Sequence, residues 1–361
     1  MWRDRAVTMT IGSRLIGRGE PLYTIAEIGL NHGGSVDRAL AMVDAAAAAG
    51  VSAVKVQLLT AADLVAPSCP APAHVAATCL RDFFAAFELS ESAYRAIAER
   101  ARTHGLGLVA TPLSLGAVDL LERVGVDAYK IASGDIIWDG LIRRCANTGK
   151  PLVMSTGMAS LDEVAHAVAC AQSSGADNLA LLHCVSAYPV PAGSENLRAI
   201  ATLWRAFGLP VGLSDHGADE FAAPLAVALG ASLYERHLVL DDDERAVDAA
   251  VSSTPARMAG MVRAAARAIE ALGSGEKVCL PAEAVNLSAS RRSLCAARRL
   301  IAGHILRDDD LTALRPATGV APDRASDLVG RRLARPVNAG SPLVDDDFVP
   351  SAESRLDRGV A

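Results

Sequence analysis

From Tyr23 to Gly273 short β-rich apolar runs alternate with amphipathic stretches of helical period. The apolar runs begin near Tyr23, Ala53, Gly107, Ala128, Pro151, Leu179, Pro210 and Ser232. Each gives way to a polar turn and then to a helix-like segment, the pattern of repeated βα units. Ser160-Leu161-Asp162-Glu163 reads as a capping box at a helix start. Thr254-Pro255 places a cap residue before a proline at the first helical position. Gly50, Gly105, Gly125, Gly149, Gly175, Gly208, Gly230 and Gly273 stand where helices should stop. Eight such units in about 250 residues predict an α/β fold, a TIM (β/α)8 barrel over residues 1–273. A doubly wound sheet would normally show fewer strands and a glycine-rich phosphate turn after the first.

Beyond Gly273 the rhythm stops. Residues 274–290 read as a polar, irregular linker, and 291–361 as a small β-rich domain. That tail carries a weak duplication. Arg299-Leu300-Ile301-Ala302-Gly303 with Asp308-Asp309-Asp310-Leu311 matches Pro336-Val337-Asn338-Ala339-Gly340 with Asp345-Asp346-Asp347-Phe348 at one constant offset. Two related halves predict a pseudo-symmetric unit too small for a substrate cavity of its own.

Composition then narrows the class. Apolar residues make up 51% and aromatics only 4%, so the core should be Ala, Val, Leu and Ile in close helix contacts. Runs such as Ala45–Val51 fall far short of the roughly 20 residues a membrane span needs. Met1-Trp2-Arg3-Asp4-Arg5 leads into no apolar signal core, and seven scattered cysteines without a C-x-x-C pair read as reduced thiols, so a cytoplasmic location is expected. A net charge of −6 argues against a nucleic-acid surface, though not against an anionic ligand in a locally basic pocket.

Barrel geometry sorts the polar residues, because active groups gather at the C-terminal ends of the strands. Glu27 closes strand 1, either as a structural acid tied to a lysine of strand 2 or as a catalytic group. Lys55 and Gln57 share one face of strand 2, since strand side chains alternate. Thr111 ends strand 3. Lys130 and the Ser133-Gly134 turn after strand 4 suit a phosphate or carboxylate, and Ser155-Thr156-Gly157 offers a second such turn. Strand 6 leads to Ser186 and Tyr188, the tyrosine read equally as a packing aromatic. Strands 7 and 8 end at Ser214-Asp215-His216 and Glu235-Arg236-His237, within reach of one ion. Two imidazoles with open positions suit Mn²⁺, Co²⁺ or Mg²⁺ better than closed structural zinc. His74, His104, His166 and His304 read as ordinary core or surface residues, the run Asp241–Glu244 as a solvated loop, and Asp248 as a further polar contributor.

In this order the residues resemble the sialic acid synthase family, which includes legionaminic and pseudaminic acid synthases. The match runs from Ile25–Gly29 and Asn31-His32 through Lys55–Gln57, Thr111-Pro112, Tyr129–Gly134, Ser155–Met158, Leu182–Cys184, Tyr188-Pro189, Gly212–His216 and Glu235–His237. It continues into Arg291–Leu294 and Arg315-Pro316, which look like that family's antifreeze-protein-like (SAF, β-clip) domain.

The resemblance implies an enzyme that condenses phosphoenolpyruvate (PEP) with an N-acylated hexosamine to a nine-carbon ulosonic acid. It implies that Lys55, Thr111, Lys130, Ser133, Ser155 and Ser214 hold PEP, that His216 and His237 bind a divalent metal, foremost Mn²⁺, and that Glu27, Gln57, Tyr188 and Asp248 position the sugar. Asp135 would activate the attacking water, and Arg315 would arrive from the partner in a domain-swapped homodimer. Asp135 stands where the family usually has glutamate, Ser186 where some members have asparagine, and Gly217 where threonine is common. The alternatives are a synthase for a shorter sugar acid and a non-catalytic barrel that binds a sugar or a partner.

Overall fold

The computed structural model describes residues 7–70, 79–241 and 246–350. The chain forms two compact units, Met1–Ser274 and Gly275–Ala361.

In the first unit, eight strands close into a parallel barrel. They are β3 (Tyr23–Glu27), β4 (Ala53–Leu58), β5 (Gly107–Pro112), β6 (Ala128–Ile131), β7 (Leu152–Ser155), β8 (Leu179–Cys184), β9 (Val211–Asp215) and β10 (Leu233–Leu238). Each lies within one residue of an expected start, and each is followed by at least one helix. The Ser160 capping box is present, and Gly50, Gly125 and Gly208 end their helices in left-handed backbone. Pro255 opens the helix Pro255–Leu272, although the Thr254 side chain makes no cap bond there.

Alternation along the strands divides the protein into three zones. Outward residues such as Val54, Leu108, Tyr129, Met154, Leu181 and Leu213 pack under the helices in the main core. Inward residues of the lower barrel are apolar: Ile25, Ala53, Val109, Ala128, Val153, Ala180, Leu182 and Leu233. Inward residues one or two steps further along the same strands are Glu27, Lys55, Gln57, Thr111, Lys130, Ser155, Ser214 and Glu235.

A feature missing from the sequence reading seals the lower end. The antiparallel hairpin of β1 (Met9–Ile11) and β2 (Arg14–Ile16) packs Met9, Ile11 and Ile16 against the apolar inner layer. The cavity ringed by the polar groups lies at the opposite, C-terminal end of the strands.

The second unit is held by its internal duplication. Strands β12 (Ser293–Ala296) and β13 (Leu311–Leu314) pair antiparallel over a core of Leu294, Leu300, Leu306, Leu333, Val337 and Phe348. In the first copy the buried Asp310 accepts from the Arg307 backbone N–H and from Arg298 (2.6 Å). In the second, Asp347 accepts from the Val344 N–H and from Arg335 (2.6 Å). The acidic turns thus each bury one carboxylate that ties its own loop. The stretch 274–290 is not wholly irregular: Pro281–Ser290 is a helix, begun by proline at its first position and by Glu283 accepting from the Leu280 N–H. The alanine-containing run after Pro281 has no helix breaker, a signal that polarity obscured.

Barrel closure makes one glycine irreplaceable. Gly212 points inward, where a Cβ would overlap the carbonyl oxygen of Leu233 and sit 2.7 Å from Leu182 Cδ2. Because the obstacle is backbone, it cannot rotate away. Gly212→Ala is expected to cost about 1–3 kcal/mol, read as a fall of several degrees in the thermal unfolding midpoint. An unchanged midpoint would show that the seam between β8 and β10 is looser than described.

Candidate active site

The polar mouth of the barrel surrounds a cavity of about 240 Å³. Of the residues expected there, Lys55, Gln57, Thr111, Lys130, Ser133, Ser155, Ser186, Tyr188, Ser214, His216 and His237 line it. Glu27 and Asp248 stand directly behind this wall, through Lys55 and His237. Asp135 does not line the cavity. It follows the lining residues Ser133 and Gly134 in a turn of 3-10 helix, and burial raises its carboxyl above the usual range against the pull of Lys130. Arg315 belongs to the second unit, directly after β13.

The organising group is one that the sequence reading passed over. Glu235 lines the cavity between the two lysines, with Lys55 Nζ 3.8 Å from Oε2 and Lys130 Nζ 3.8 Å from Oε1. Ser214 donates to Oε1 at 2.9 Å. Burial pushes the Glu235 carboxyl upward, but Lys130, Lys55 and the Ser214 hydroxyl outweigh it and hold it well below the ordinary range. The signal was available, because Glu235 lies two residues before His237 on β10 and therefore shares its inward face.

The lysines are not equivalent. Lys55 is ion-paired with Glu27, faces Glu235, and donates to Thr111 Oγ1 at 3.3 Å. Burial disfavours its charge, yet the two carboxylates raise its pKa above the usual lysine value. Lys130 has only a share of Glu235 and feels Lys55, so burial leaves its pKa below the usual value. Gln57 donates to Glu27 Oε1 at 3.4 Å. The Ser155 hydroxyl is buried on the cavity wall and makes no hydrogen bond among the described residues. Ser133 Oγ accepts from the Gly157 N–H at 3.0 Å, binding the two turns together. A side chain at Gly157 would overlap the hydroxyls of Ser186 and Ser133 and displace both from the cavity wall.

On the far wall the His216 and His237 rings lie 5.5 Å apart, and the half-exposed Tyr188 ring stacks 4.2 Å from His216. His216 Nδ1 turns toward the Val185 carbonyl (3.3 Å) and Cys184 Sγ (3.7 Å). His237 Nδ1 is buried 3.3 Å from Asp248 Oδ2 and makes no hydrogen bond among the described residues. Asn31 fixes the loop bearing Asp248: it accepts from the Asp248 N–H (3.0 Å) and donates to the Leu238 carbonyl (2.8 Å) and Ser252 Oγ (2.9 Å). Two neighbouring imidazoles on one cavity, one with an unsatisfied buried nitrogen, fit a divalent cation. No three His, Cys, Asp or Glu groups form a closed cage among the described residues, so substrate and water would complete the coordination. The other histidines read as ordinary residues are elsewhere: His104 bonds Asp44, His166 bonds Asp139 and His304 bonds Asp310. His74 and the acidic residues Asp242–Glu244 lie outside the described residues. No described helix is long and apolar enough to cross a membrane.

Both units match known families. Residues 42–277 match the NeuB family and residues 291–349 the SAF domain. The chain is 35% identical over 337 residues to the N,N'-diacetyllegionaminic acid synthase of Legionella pneumophila, covering 91% of this chain and 95% of that protein. It is 32% identical to the pseudaminic acid synthase of Campylobacter jejuni serotype O:23/36, across 91% of this chain and 96% of the relative. The crystal structure of an N-acetylneuraminic acid synthetase from Leptospira borgpetersenii superposes with a TM-score of 0.73 at 31% identity, over 79% of this chain and 96% of that one. The chain belongs to the NeuB family.

Proposed function

We propose that this chain condenses phosphoenolpyruvate with the open-chain form of an N-acylated hexosamine, giving a nine-carbon ulosonic acid and phosphate. The observation that carries this reading is the division of one cavity into two halves. The strand ends of β4 to β7 present two buried ammoniums and three hydroxyls, donors suited to a phosphate and a carboxylate. The ends of β9 and β10 present two imidazoles beside an aromatic ring, suited to a cation and a sugar. Relatives named as legionaminic and pseudaminic acid synthases support a 2,4-diacetamido hexose, and the Leptospira structure supports N-acetylmannosamine.

In this proposal Lys55, Lys130, Thr111, Ser133, Ser155 and Ser214 hold PEP. Ser155 brings a hydroxyl that has no other buried partner to satisfy. Gln57, Tyr188, Asp248 and Glu27 orient the sugar so that its aldehyde carbon faces carbon 3 of PEP. The new C–C bond forms there, water adds at carbon 2, and phosphate leaves with the bridging oxygen. Asp135 lies off the cavity lining, two residues beyond Ser133, so it takes the proton from that water through an intervening water rather than by direct contact. His216 and His237 would hold a divalent cation, foremost Mn²⁺, which when bound supplies Lewis-acid polarisation of the aldehyde.

Phosphate release from PEP with Mn²⁺ is expected with one of N-acetylmannosamine or the 2,4-diacetamido hexoses that lead to legionaminic and pseudaminic acid, with product mass equal to sugar plus pyruvate. Exhaustive chelation should abolish it. Release that persists after chelation would sink the metal assignment, and silence with every N-acylated hexosamine would contradict the proposed reaction.

We further propose a homodimer in which Arg315 of one chain completes the cavity of its partner. Arg315→Ala and Lys55→Ala should each be inactive, and mixing them should restore about a quarter of wild-type activity, since random pairing leaves one intact cavity in half of the dimers. No recovery in dimers shown to be mixed would refute the exchange.

A further inference from the structure

The two imidazoles differ in how the sheet supports them. His237 lies within β10, paired with Glu27 of β3 and with Ser252 of β11 (Ser252–Ser253). His216 lies one residue beyond the end of β9, and the β9–β10 ladder ends at Asp215 opposite Arg236. Backbone pairing between these strands therefore does not hold His216.

A buried network on the outer face of the barrel does. Arg236 is fully buried and spreads its guanidinium three ways. Nη1 donates to Asp215 Oδ2 at 2.8 Å, Nη2 to the Gly217 carbonyl at 3.0 Å, and Nε to Ser253 Oγ at 2.6 Å. Asp215 in turn accepts from the Gly217 N–H through Oδ1 at 2.8 Å and from the Tyr234 hydroxyl through Oδ2. The residue after His216 is thus gripped at both its N–H and its C=O, and the residue before it by an ion pair. Ser253 donates to Glu220 Oε1 at 2.6 Å, and Arg257 pairs with Glu220 at 2.9 Å, extending the brace to the next loop.

We propose that Asp215 and Arg236 are positioning residues that set the separation of His216 and His237 and so tune metal affinity, although neither touches the cavity. Each adjoins one imidazole in sequence and points the opposite way, so their ion pair ties the two strand ends from behind. Gly217 sharpens the need for this brace, because a residue without a side chain adds no packing of its own. Lysine cannot replace Arg236, since a single ammonium does not reach three acceptors in a fork.

This inference rests on the proposed metal site, and the test separates the two. Mn²⁺ affinity of the full-length protein is measured by electron paramagnetic resonance for wild type, Arg236→Lys, Tyr234→Phe and Ser253→Ala, alongside PEP binding and thermal midpoint. Arg236→Lys is expected to weaken Mn²⁺ at least tenfold, and the two milder variants several-fold, with PEP affinity within twofold of wild type. The milder variants decide the question if Arg236→Lys does not fold. Mn²⁺ affinities within twofold of wild type in every folded variant would overturn the positioning role. PEP binding weakened in parallel with Mn²⁺ would overturn it too, in favour of general loosening. No Mn²⁺ binding by wild type would instead remove the metal site itself.

Discussion

Two ammoniums buried at the mouth of one barrel are the constraint on which the site depends. Neither lysine could remain charged there alone, since removing a charge from water without a partner costs more than folding can spare. Glu235 answers both, touching Lys55 with one oxygen and Lys130 with the other while Ser214 orients it. Glu27 then tips the balance toward Lys55, and the result is one firmly charged lysine beside one that is less so. An arriving dianion would relieve that asymmetry by giving Lys130, which shares Glu235 with Lys55, a partner of its own. The cluster is therefore stable without substrate and still favours an anion.

The same strands supply this polar ring and the dry layer beneath it. Because side chains alternate, moving two residues along β4 changes the inward residue from Ala53 to Lys55, and along β10 from Leu233 to Glu235. The hairpin of β1 and β2 packs on the apolar end, and the cavity lies at the charged end. Water excluded from below leaves the charges in a low effective dielectric, where each interaction counts for more. On the opposite wall the imidazoles are arranged from outside the barrel, by the Asp215–Arg236 pair. Inner chemistry is thus braced by outer packing.

Much of this was legible in the sequence. Short β-rich apolar runs alternating with helical stretches located all eight barrel strands, and placing Lys55, Lys130, His216 and His237 at their C-terminal ends brought them to one cavity. Three features escaped for physical reasons. Strands of three residues, such as Met9–Ile11, are too short to show a period. The helix Pro281–Ser290 lacks a strong apolar stripe, so its polarity concealed its regularity. Glu235 received no role because it stands in the same strand-end motif as the more conspicuous ligand His237, although alternation sends both inward and Arg236 out. Asp135 illustrates the converse: its place in the motif suggested a cavity residue, but the 3-10 turn carries the side chain off the lining.

The most direct measurement of the central claim is calorimetric titration of PEP, without sugar, into wild type and Lys130→Gln. The substitution removes one charge and leaves Lys55 shared between Glu27 and Glu235, so the thermal midpoint is measured alongside to confirm the fold. PEP affinity should fall at least tenfold in Lys130→Gln. Equal affinity for the two proteins would mean that PEP does not sit between the lysines, and that the cavity serves another ligand.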